Sequence, residues 1–393
     1  MRSAPGIPHA LVFPGRTDFE HNSGVSRRGI AEAYLDVIDK ITPDVIDAEQ
    51  SSRDDRGDGA GRSLSQRRSA IVVNAKISGI TAMDRRNMLR SAASTALGTG
   101  LLAAAAGDAM STQPATSREK MRGADYVECA DGTKLACTDW GAGKPVVFIH
   151  AWALPSAMWD YQRGPLSEQG LRCIAYDRRG HGRSGVPNGG YDCDNLADDL
   201  STLLTELDLR EVTLVSHSFG CGEVVRYLTR HGSSRIEKIA LIAPAGTPFV
   251  MKTTDNPNGV PPEQLEFFRT KILQQDFPKW LEDGKKAFFT ADTSLGLQNW
   301  VMQLMLTTPL RVAVECNRQI TSTDFRGELP KISLPTLIIH GDKDASAPID
   351  LTGRPTAGLI RNAQLKVYEG APHGLFLTHK ERLNADLLGF IKG

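Results

Sequence analysis

The chain has 393 residues, 40% of them hydrophobic, and its formal net charge at neutral pH is zero. This composition is typical of a globular protein that contains both helices and strands, and the lack of a long basic run argues against a nucleic-acid partner. The sequence has no Cys-x-x-Cys pair, no metal-ligand spacing and no glycine-rich phosphate loop, so we expect neither a metal nor an organic cofactor.

Residues 1–82 are rich in Arg, Asp, Ser and Gly and contain no motif with recognisable chemistry. We predict an upstream or disordered segment there, because such a composition offers little apolar surface to bury. Residues 111–123 form a polar stretch that is predicted to be a linker, and the folded domain is predicted to occupy residues 124–393.

Residues 83–110 have the pattern of an export signal. Arg85 and Arg86 precede an uncharged stretch over 91–106, and small residues follow it. A positive segment, an apolar segment and a small-residue cleavage site define secretory signals, and the arginine pair resembles the twin-arginine type. The stretch is too short and too rich in Ala and Gly for stable membrane insertion. We predict export to the bacterial periplasm or the medium, with Met83 as the natural start; the alternative is an internal Ala-rich helix in a cytoplasmic protein.

From residue 124 onward, strand patterns alternate with helical patterns. Two strands around a turn at Asp131-Gly132 are predicted to form a hairpin over 126–139. Further strands are predicted at 146–150, 173–176, 212–216, 239–242, 336–339 and 365–368, and helices at 196–207, 219–230 and 383–391. Strands that alternate with helices indicate βαβ units, so we expect an α/β fold with a mostly parallel, doubly wound sheet of about eight strands.

Residues 214–222 read Leu-Val-Ser-His-Ser-Phe-Gly-Cys-Gly and are predicted to form a strand, a tight turn and the start of a helix. The turn nearly matches G-x-S-x-G, with Ser216 in place of the first glycine. In that geometry the central residue, Ser218, is a nucleophile at the top of the sheet, and the helix points its N-terminus at the reaction site. The alternative is an ordinary polar turn. His217 is expected to be packed and hydrogen-bonded rather than in contact with a substrate.

Two later strand ends carry the groups that a nucleophilic serine requires. Asp342 and Asp344 follow the strand at 336–339, and His373 ends the loop after the strand at 365–368. A histidine takes the serine proton and an acid orients the histidine, in the chain order Ser, Asp or Glu, His. Because the carboxyl ends of parallel strands meet at one edge of the sheet, these groups are expected to converge.

The charge that develops on a substrate carbonyl oxygen also requires backbone N–H donors. One candidate is Phe219, directly after the serine, and the second is Trp152, in the loop after the strand at 146–150. These two N–H groups are predicted to form an oxyanion hole, and removal of one such donor typically lowers turnover by about 10²–10³-fold.

Five segments resemble the α/β-hydrolases: 148–152, 176–184, 216–222, 340–344 and 371–374. From about residue 124 to the end, the chain looks most like the bacterial aryl-esterase and cofactor-free haloperoxidase (perhydrolase) branch. The resemblance implies the α/β-hydrolase fold, with a helical lid between strands 6 and 7, and it implies Asp344 rather than Asp342 as the catalytic acid.

This chain departs from that branch at three places. The branch usually has His-Gly-Trp where this chain has His-Ala-Trp at 150–152, and Gly-Phe-Ser-Met-Gly where this chain has Ser-His-Ser-Phe-Gly at 216–220. Members with perhydrolase character tend to carry proline at the position of Ala153. The resemblance therefore favours ester hydrolysis over peracid formation.

The segment at about 245–331 breaks the alternation of strands and helices and is predicted to form the lid. Helical patterns run over 263–273, 280–289, 296–306 and 310–320. The aromatic residues of this segment predict an apolar pocket for an acyl or aryl group. The candidate pocket residues are Trp280, Phe288 and Trp300.

Together these patterns predict a serine hydrolase that cleaves carboxylic esters of small acyl or aryl substrates through an acyl-enzyme. The same three groups would serve a perhydrolase, an acyltransferase or a lactonase. A non-catalytic binding protein on the same scaffold is the remaining hypothesis. The expected partner is a small-molecule ester, and the sequence leaves the oligomeric state open.

Overall fold

The computed structural model describes residues 125–393, apart from Gly246 and Asn258. The predictions of an upstream segment at 1–82, an export signal at 83–110 and a linker at 111–123 lie outside the described residues. Within the described part, none of the helices combines the length and the apolar character needed to cross a membrane.

One eight-stranded sheet lies at the centre of the described domain. Its strands are β1 (Asp125–Glu128), β2 (Lys134–Trp140), β3 (Lys144–Ile149), β4 (Leu171–Tyr176), β5 (Val212–His217), β6 (Ile236–Ile242), β7 (Thr336–Gly341) and β8 (Ala363–Tyr368). Their order is β1-β2-β4-β3-β5-β6-β7-β8, and only the β1/β2 and β2/β4 pairs within the described sheet are antiparallel. The predicted α/β fold with a mostly parallel sheet is confirmed.

Helices pack on the sheet and form the lid. They are α1 (Asp160–Glu168), α2 (Cys193–Glu206), α3 (Phe219–His231), α4 (Pro262–Phe267), α5 (Gln274–Phe288), α6 (Leu295–Leu306), α7 (Leu310–Ser322), α8 (Gly353–Leu359), α9 (Leu375–Thr378) and α10 (Lys380–Lys392). Because side chains alternate along a strand, β3 contributes to two apolar cores: Val147 and Ile149 lie in one, and Val146 and Phe148 in the other.

The lid consists of α4 to α7, which lie between β6 and β7 as predicted. The expected helix over 263–273 is divided, because a π-helical turn at Phe268–Leu273 follows α4. The expected helix from 280 begins earlier, at Gln274, but Asp276 has non-helical φ and ψ of −153° and 76°. Pro278 follows this kink in the first turn of the regular part, where a missing backbone N–H is tolerated.

All six cysteines lie in the described part of the chain, where each is buried and none forms a disulfide. Burial raises the pKa of the Cys193 thiol to about 11 and that of the Cys316 thiol to about 12. Since the thiolate is the reactive form, these thiols are unreactive in the folded protein.

Candidate active site

Ser218 lies in a strained turn between β5 and α3. Its φ of 55° and ψ of −115° are values that a residue with a side chain rarely adopts. The turn is tied to β6, because the Ser218 N–H donates to the carbonyl oxygen of Ile242 at 2.9 Å. Gly220 is needed nearby, since a Cβ there would lie 2.8 Å from the carbonyl oxygen of His150. The sharp strand-to-helix turn has the geometry predicted for a nucleophile elbow.

Ser216, which replaces the first glycine of the motif, is accommodated in this turn. It is fully buried, and its hydroxyl lies 3.3 Å from Sγ of Cys221 and 3.4 Å from the carbonyl oxygen of Ala240. The buried hydroxyl therefore has polar partners, which explains how serine is tolerated where the branch usually has glycine.

The structure brings Ser218, His373 and Asp344 into contact, although they are far apart in the chain. Oγ of Ser218 lies 3.0 Å from Nε2 of His373, and Nδ1 of His373 lies 2.7 Å from Oδ2 of Asp344. When Nδ1–H of a neutral His373 donates to the carboxylate, Nε2 can accept from the serine hydroxyl. Asp342, the other acid of this loop, instead accepts from the N–H of Gly370 at 2.6 Å.

The buried carboxylate of Asp344 has several donors around it. Oδ1 accepts from the N–H groups of Ser346 at 2.8 Å and Ala347 at 2.6 Å, and Oδ2 also lies 3.1 Å from Nε2 of His340. Burial disfavours the charge, but His373 and His340 outweigh it and hold the pKa of the Asp344 carboxyl well below its usual range. Asp344 is therefore ionised at neutral pH and can stabilise a positive charge on His373.

His217 is buried and packs against His373, in line with the expectation of a packed and hydrogen-bonded side chain. The ring centroids lie 4.7 Å apart, and Nε2 of His217 lies 3.0 Å from the backbone carbonyl oxygen of His373. Since a carbonyl oxygen only accepts, Nε2 of His217 carries the proton. Burial and the neighbouring His373 keep the pKa of His217 well below its usual range, so its ring is neutral.

The loop after β3 lies beside the elbow and contains Trp152. The N–H of Ala151 donates to Sδ of Met158 at 3.3 Å, and the indole N–H of Trp152 donates to the carbonyl oxygen of Ala313 at 2.8 Å. Phe219 opens α3, where the first N–H groups have no acceptor within the helix. The backbone N–H groups of Trp152 and Phe219 thus remain the candidates for the oxyanion hole.

The three predicted pocket residues have different surroundings. Trp280 packs edge-on against Trp152, with ring centroids 5.5 Å apart, and Phe288 packs against His373 at 5.7 Å. Trp300 packs instead against the exposed Tyr161 of α1, at 5.8 Å. The structure therefore brings Trp280 and Phe288 to the candidate site, whereas the ring contact of Trp300 is with α1.

The sequence motifs did not predict the pairing of the polar groups that hold the site from beneath. Nε of Arg178 donates to Oε2 of Glu223 at 2.7 Å, and both side chains are almost fully buried. Arg178 is the second residue after β4, and Glu223 lies on the apolar face of α3. A charged residue within a buried pattern was the available signal, because such residues are rarely buried unless they are paired.

Comparison with known proteins defines the family. The model of the α/β-hydrolase fold matches residues 144–380. The chain is 42% identical over 268 residues to the non-heme chloroperoxidase CPO-A1 of Kitasatospora aureofaciens, covering 66% of this chain and 97% of that protein. It is 34% identical over 276 residues to the bifunctional esterase/perhydrolase DCH of Acinetobacter calcoaceticus, covering 68% of this chain and 99% of that protein.

Solved structures agree with this assignment. An esterase from Exiguobacterium antarcticum superposes with a TM-score of 0.65 at 32% identity, covering 68% of this chain and 99% of that one. The chain belongs to the α/β-hydrolase fold family. Its relatives include haloperoxidases and esterases, so the resemblance inferred from the sequence is confirmed.

Proposed function

We propose that the protein is a serine hydrolase that cleaves carboxylic esters through an acyl-enzyme. The observation that carries this proposal is the pair of contacts at Ser218, His373 and Asp344, which measure 3.0 Å from hydroxyl to imidazole and 2.7 Å from imidazole to carboxylate. A hydroxyl in this position can pass its proton to the imidazole while it attacks a carbonyl carbon.

Each group then has one task in the reaction. His373 accepts the proton of Ser218 during the attack and returns it to the leaving alkoxide, while Asp344 orients the ring and stabilises its positive charge. The N–H groups of Trp152 and Phe219 stabilise the oxyanion of the tetrahedral intermediate. Water, activated by His373, then attacks the acyl-enzyme and releases the acid.

The aromatic side chains beside these groups favour a small acyl or aryl ester as the substrate. Phe288 packs against His373, and Trp280 packs against Trp152, so aromatic side chains contact both the imidazole and the loop of the proposed oxyanion hole. Binding pockets for small molecules are mostly apolar, with a few polar groups that fix orientation. Trp300 is a third candidate for this pocket.

Perhydrolysis is the second candidate, because the Acinetobacter relative is named a bifunctional esterase/perhydrolase. In that reaction hydrogen peroxide replaces water, attacks the same acyl-enzyme and releases a peracid. One feature favours water. Ala153 has a φ of 58°, and proline, whose φ is fixed at about −65°, could not adopt it. This loop therefore differs from the proline-bearing loop expected of members with perhydrolase character.

Substitution of Ser218 by alanine tests the proposal. We expect Ser218→Ala to lose hydrolysis of p-nitrophenyl acetate and labelling by a fluorophosphonate, because the nucleophile is absent. Ser216→Ala is the matched control, since it removes a hydroxyl of the same turn whose hydrogen-bond partners among the described residues are Cys221 and Ala240. Turnover by Ser218→Ala near that of the unsubstituted protein would refute the proposal. Peracid formation faster than ester hydrolysis would favour the second candidate.

A further inference from the structure

The peptide group between Ala151 and Trp152 is held by a histidine side chain. Nδ1 of His150 lies 2.8 Å from the carbonyl oxygen of Ala151. This carbonyl and the Trp152 N–H belong to one peptide group, and in a planar trans peptide they point in opposite directions. A hydrogen bond that fixes the carbonyl therefore also fixes the direction of the Trp152 N–H.

The other contacts of His150 determine which ring nitrogen carries the proton. The backbone N–H of Arg178 donates to Nε2 at 2.8 Å, so Nε2 is an acceptor. A neutral imidazole then carries its proton on Nδ1, which donates to the carbonyl oxygen of Ala151. The 3.3 Å approach of Nη1 of Arg178 to the same Nδ1 is consequently a contact between two N–H groups rather than a hydrogen bond.

The charge state of His150 agrees with this arrangement. The side chain is fully buried, and its ring lies 5.0 Å from that of His181. Burial, the positive charge of Arg178 and the proximity of His181 keep the pKa of His150 well below its usual range. The ring is therefore neutral at neutral pH and has a single N–H, which is directed at the Ala151 carbonyl.

Arg178 ties this loop to the helix that carries the nucleophile. Its Nη2 donates to the carbonyl oxygen of His150 at 2.9 Å, and its Nε donates to Glu223 of α3 at 2.7 Å. The hydroxyl of Tyr176 donates to the other carboxylate oxygen of Glu223. Since α3 begins directly after Ser218, one buried network fixes the loop and the nucleophile relative to each other.

We propose that His150 is a positioning residue for the oxyanion hole, because it holds the Ala151 carbonyl so that the Trp152 N–H points toward the substrate oxygen. The inference rests on the proposed function. If this peptide group were turned over, its carbonyl oxygen would face the developing oxyanion and repel it. The N–H of Ala151 cannot replace the donor, because it is directed at Sδ of Met158.

Two substitutions at His150 separate the hydrogen bond from packing. His150→Leu removes the donor, whereas His150→Asn places an amide N–H close to the position of Nδ1. We expect kcat of the leucine variant to fall by about 10–100-fold with little change in KM, because the oxyanion exists only in the transition state and intermediate. The asparagine variant should recover most of this loss. Initial rates with p-nitrophenyl acetate measure both.

The affinity of a transition-state mimic provides a second test, because a purely structural role of His150 would not change this affinity. A trifluoromethyl ketone forms a tetrahedral adduct with the serine and places an oxyanion in the hole. Its affinity should fall by the same factor as kcat/KM in His150→Leu and should recover in His150→Asn. His181→Gln is the matched control: it removes a buried imidazole next to His150 whose Nδ1 lies 3.1 Å from the carbonyl of Arg179, outside the loop.

The outcomes distinguish the two proposals. If Ser218→Ala is inactive but His150→Leu keeps its kcat and its inhibitor affinity, the inference fails while the proposed function stands. Equal losses in the leucine and asparagine variants would also overturn the inference, because the donor would then not matter. Should the leucine variant not fold, as judged by circular dichroism, His150→Gln replaces it. The longer side chain of glutamine places its amide near the position of Nε2, so the donor at the position of Nδ1 is again removed. An active Ser218→Ala would overturn the proposed function itself.

Discussion

The two sides of Ser218 are built in different ways. On the acid–base side, defined by His373 and Asp344, side chains on the loops after β7 and β8 contact each other directly. On the oxyanion side, defined by the loop at 150–152, the groups of interest are backbone N–H groups, and a buried Arg178–Glu223 pair holds them from beneath. Reacting side chains can be named from motifs, whereas the direction of a backbone donor depends on packed neighbours.

The largest effect is expected on the acid–base side. Asp344→Asn should lower kcat by about 10⁴-fold, because an amide in place of the carboxylate favours the wrong imidazole tautomer and does not stabilise its charge. KM should change little, and initial rates over a range of ester concentrations measure both. Asp342→Asn is the control on the same loop, since that carboxylate accepts from the Gly370 N–H. Equal losses in both variants would contradict the assignment of the acid.

On the oxyanion side, loss of the buried charge should reduce stability as well as rate. Glu223→Gln leaves Arg178 buried without its charged partner, and breaking a buried pair in this way costs about 3–5 kcal/mol of unfolding free energy. Asp194→Asn is the comparison, because that partly exposed carboxylate pairs with Arg226 and Arg230. Such a surface pair contributes about 0–1 kcal/mol.

Guanidinium-induced unfolding of both variants gives the two free energies of unfolding. If Glu223→Gln lowers the free energy of unfolding by no more than Asp194→Asn does, the buried Arg178–Glu223 pair does not stabilise the oxyanion side as inferred.

The smallest effect is expected from the contact behind His373. His217→Phe keeps an aromatic ring but removes the N–H that donates to the His373 carbonyl at 3.0 Å. We expect kcat to fall by about 3–10-fold, the equivalent of one hydrogen bond of about 1 kcal/mol. His217→Gln places an amide N–H near Nε2 and should recover this loss. An unchanged kcat in the phenylalanine variant would indicate that packing alone positions His373.

The contrast between the two sides also explains what the sequence could reveal. Ser218, Asp344 and His373 each follow a strand, and both the strand and the polar residue after it are visible within about ten residues of sequence. The choice of Asp344 over Asp342 came from the family resemblance, and the structure places Asp344 beside His373. The parallel sheet followed from the same strand patterns, with ends misplaced by a few residues.

The pairing of the groups beneath the site could not be predicted in this way. Arg178 and Glu223 are separated by 45 positions in the chain, and no local pattern pairs them. The role inferred for His150 depends on which nitrogen carries its proton, which only the backbone N–H of Arg178 reveals. In the lid, the π-helical turn at Phe268–Leu273 interrupts a helical pattern that continues in the sequence.

The buried cysteines can report how readily different parts of the molecule open. Alkylating reagents attack only thiolates that reach solvent, so the alkylation rate of each cysteine reports how readily its own element opens. The thiols include those of β2 (Cys137), β4 (Cys173), helix α3 after the elbow (Cys221) and the lid helix α7 (Cys316), all buried in the folded state. Timed alkylation followed by peptide mass spectrometry would therefore rank sheet, elbow and lid by how readily each opens in the unsubstituted protein.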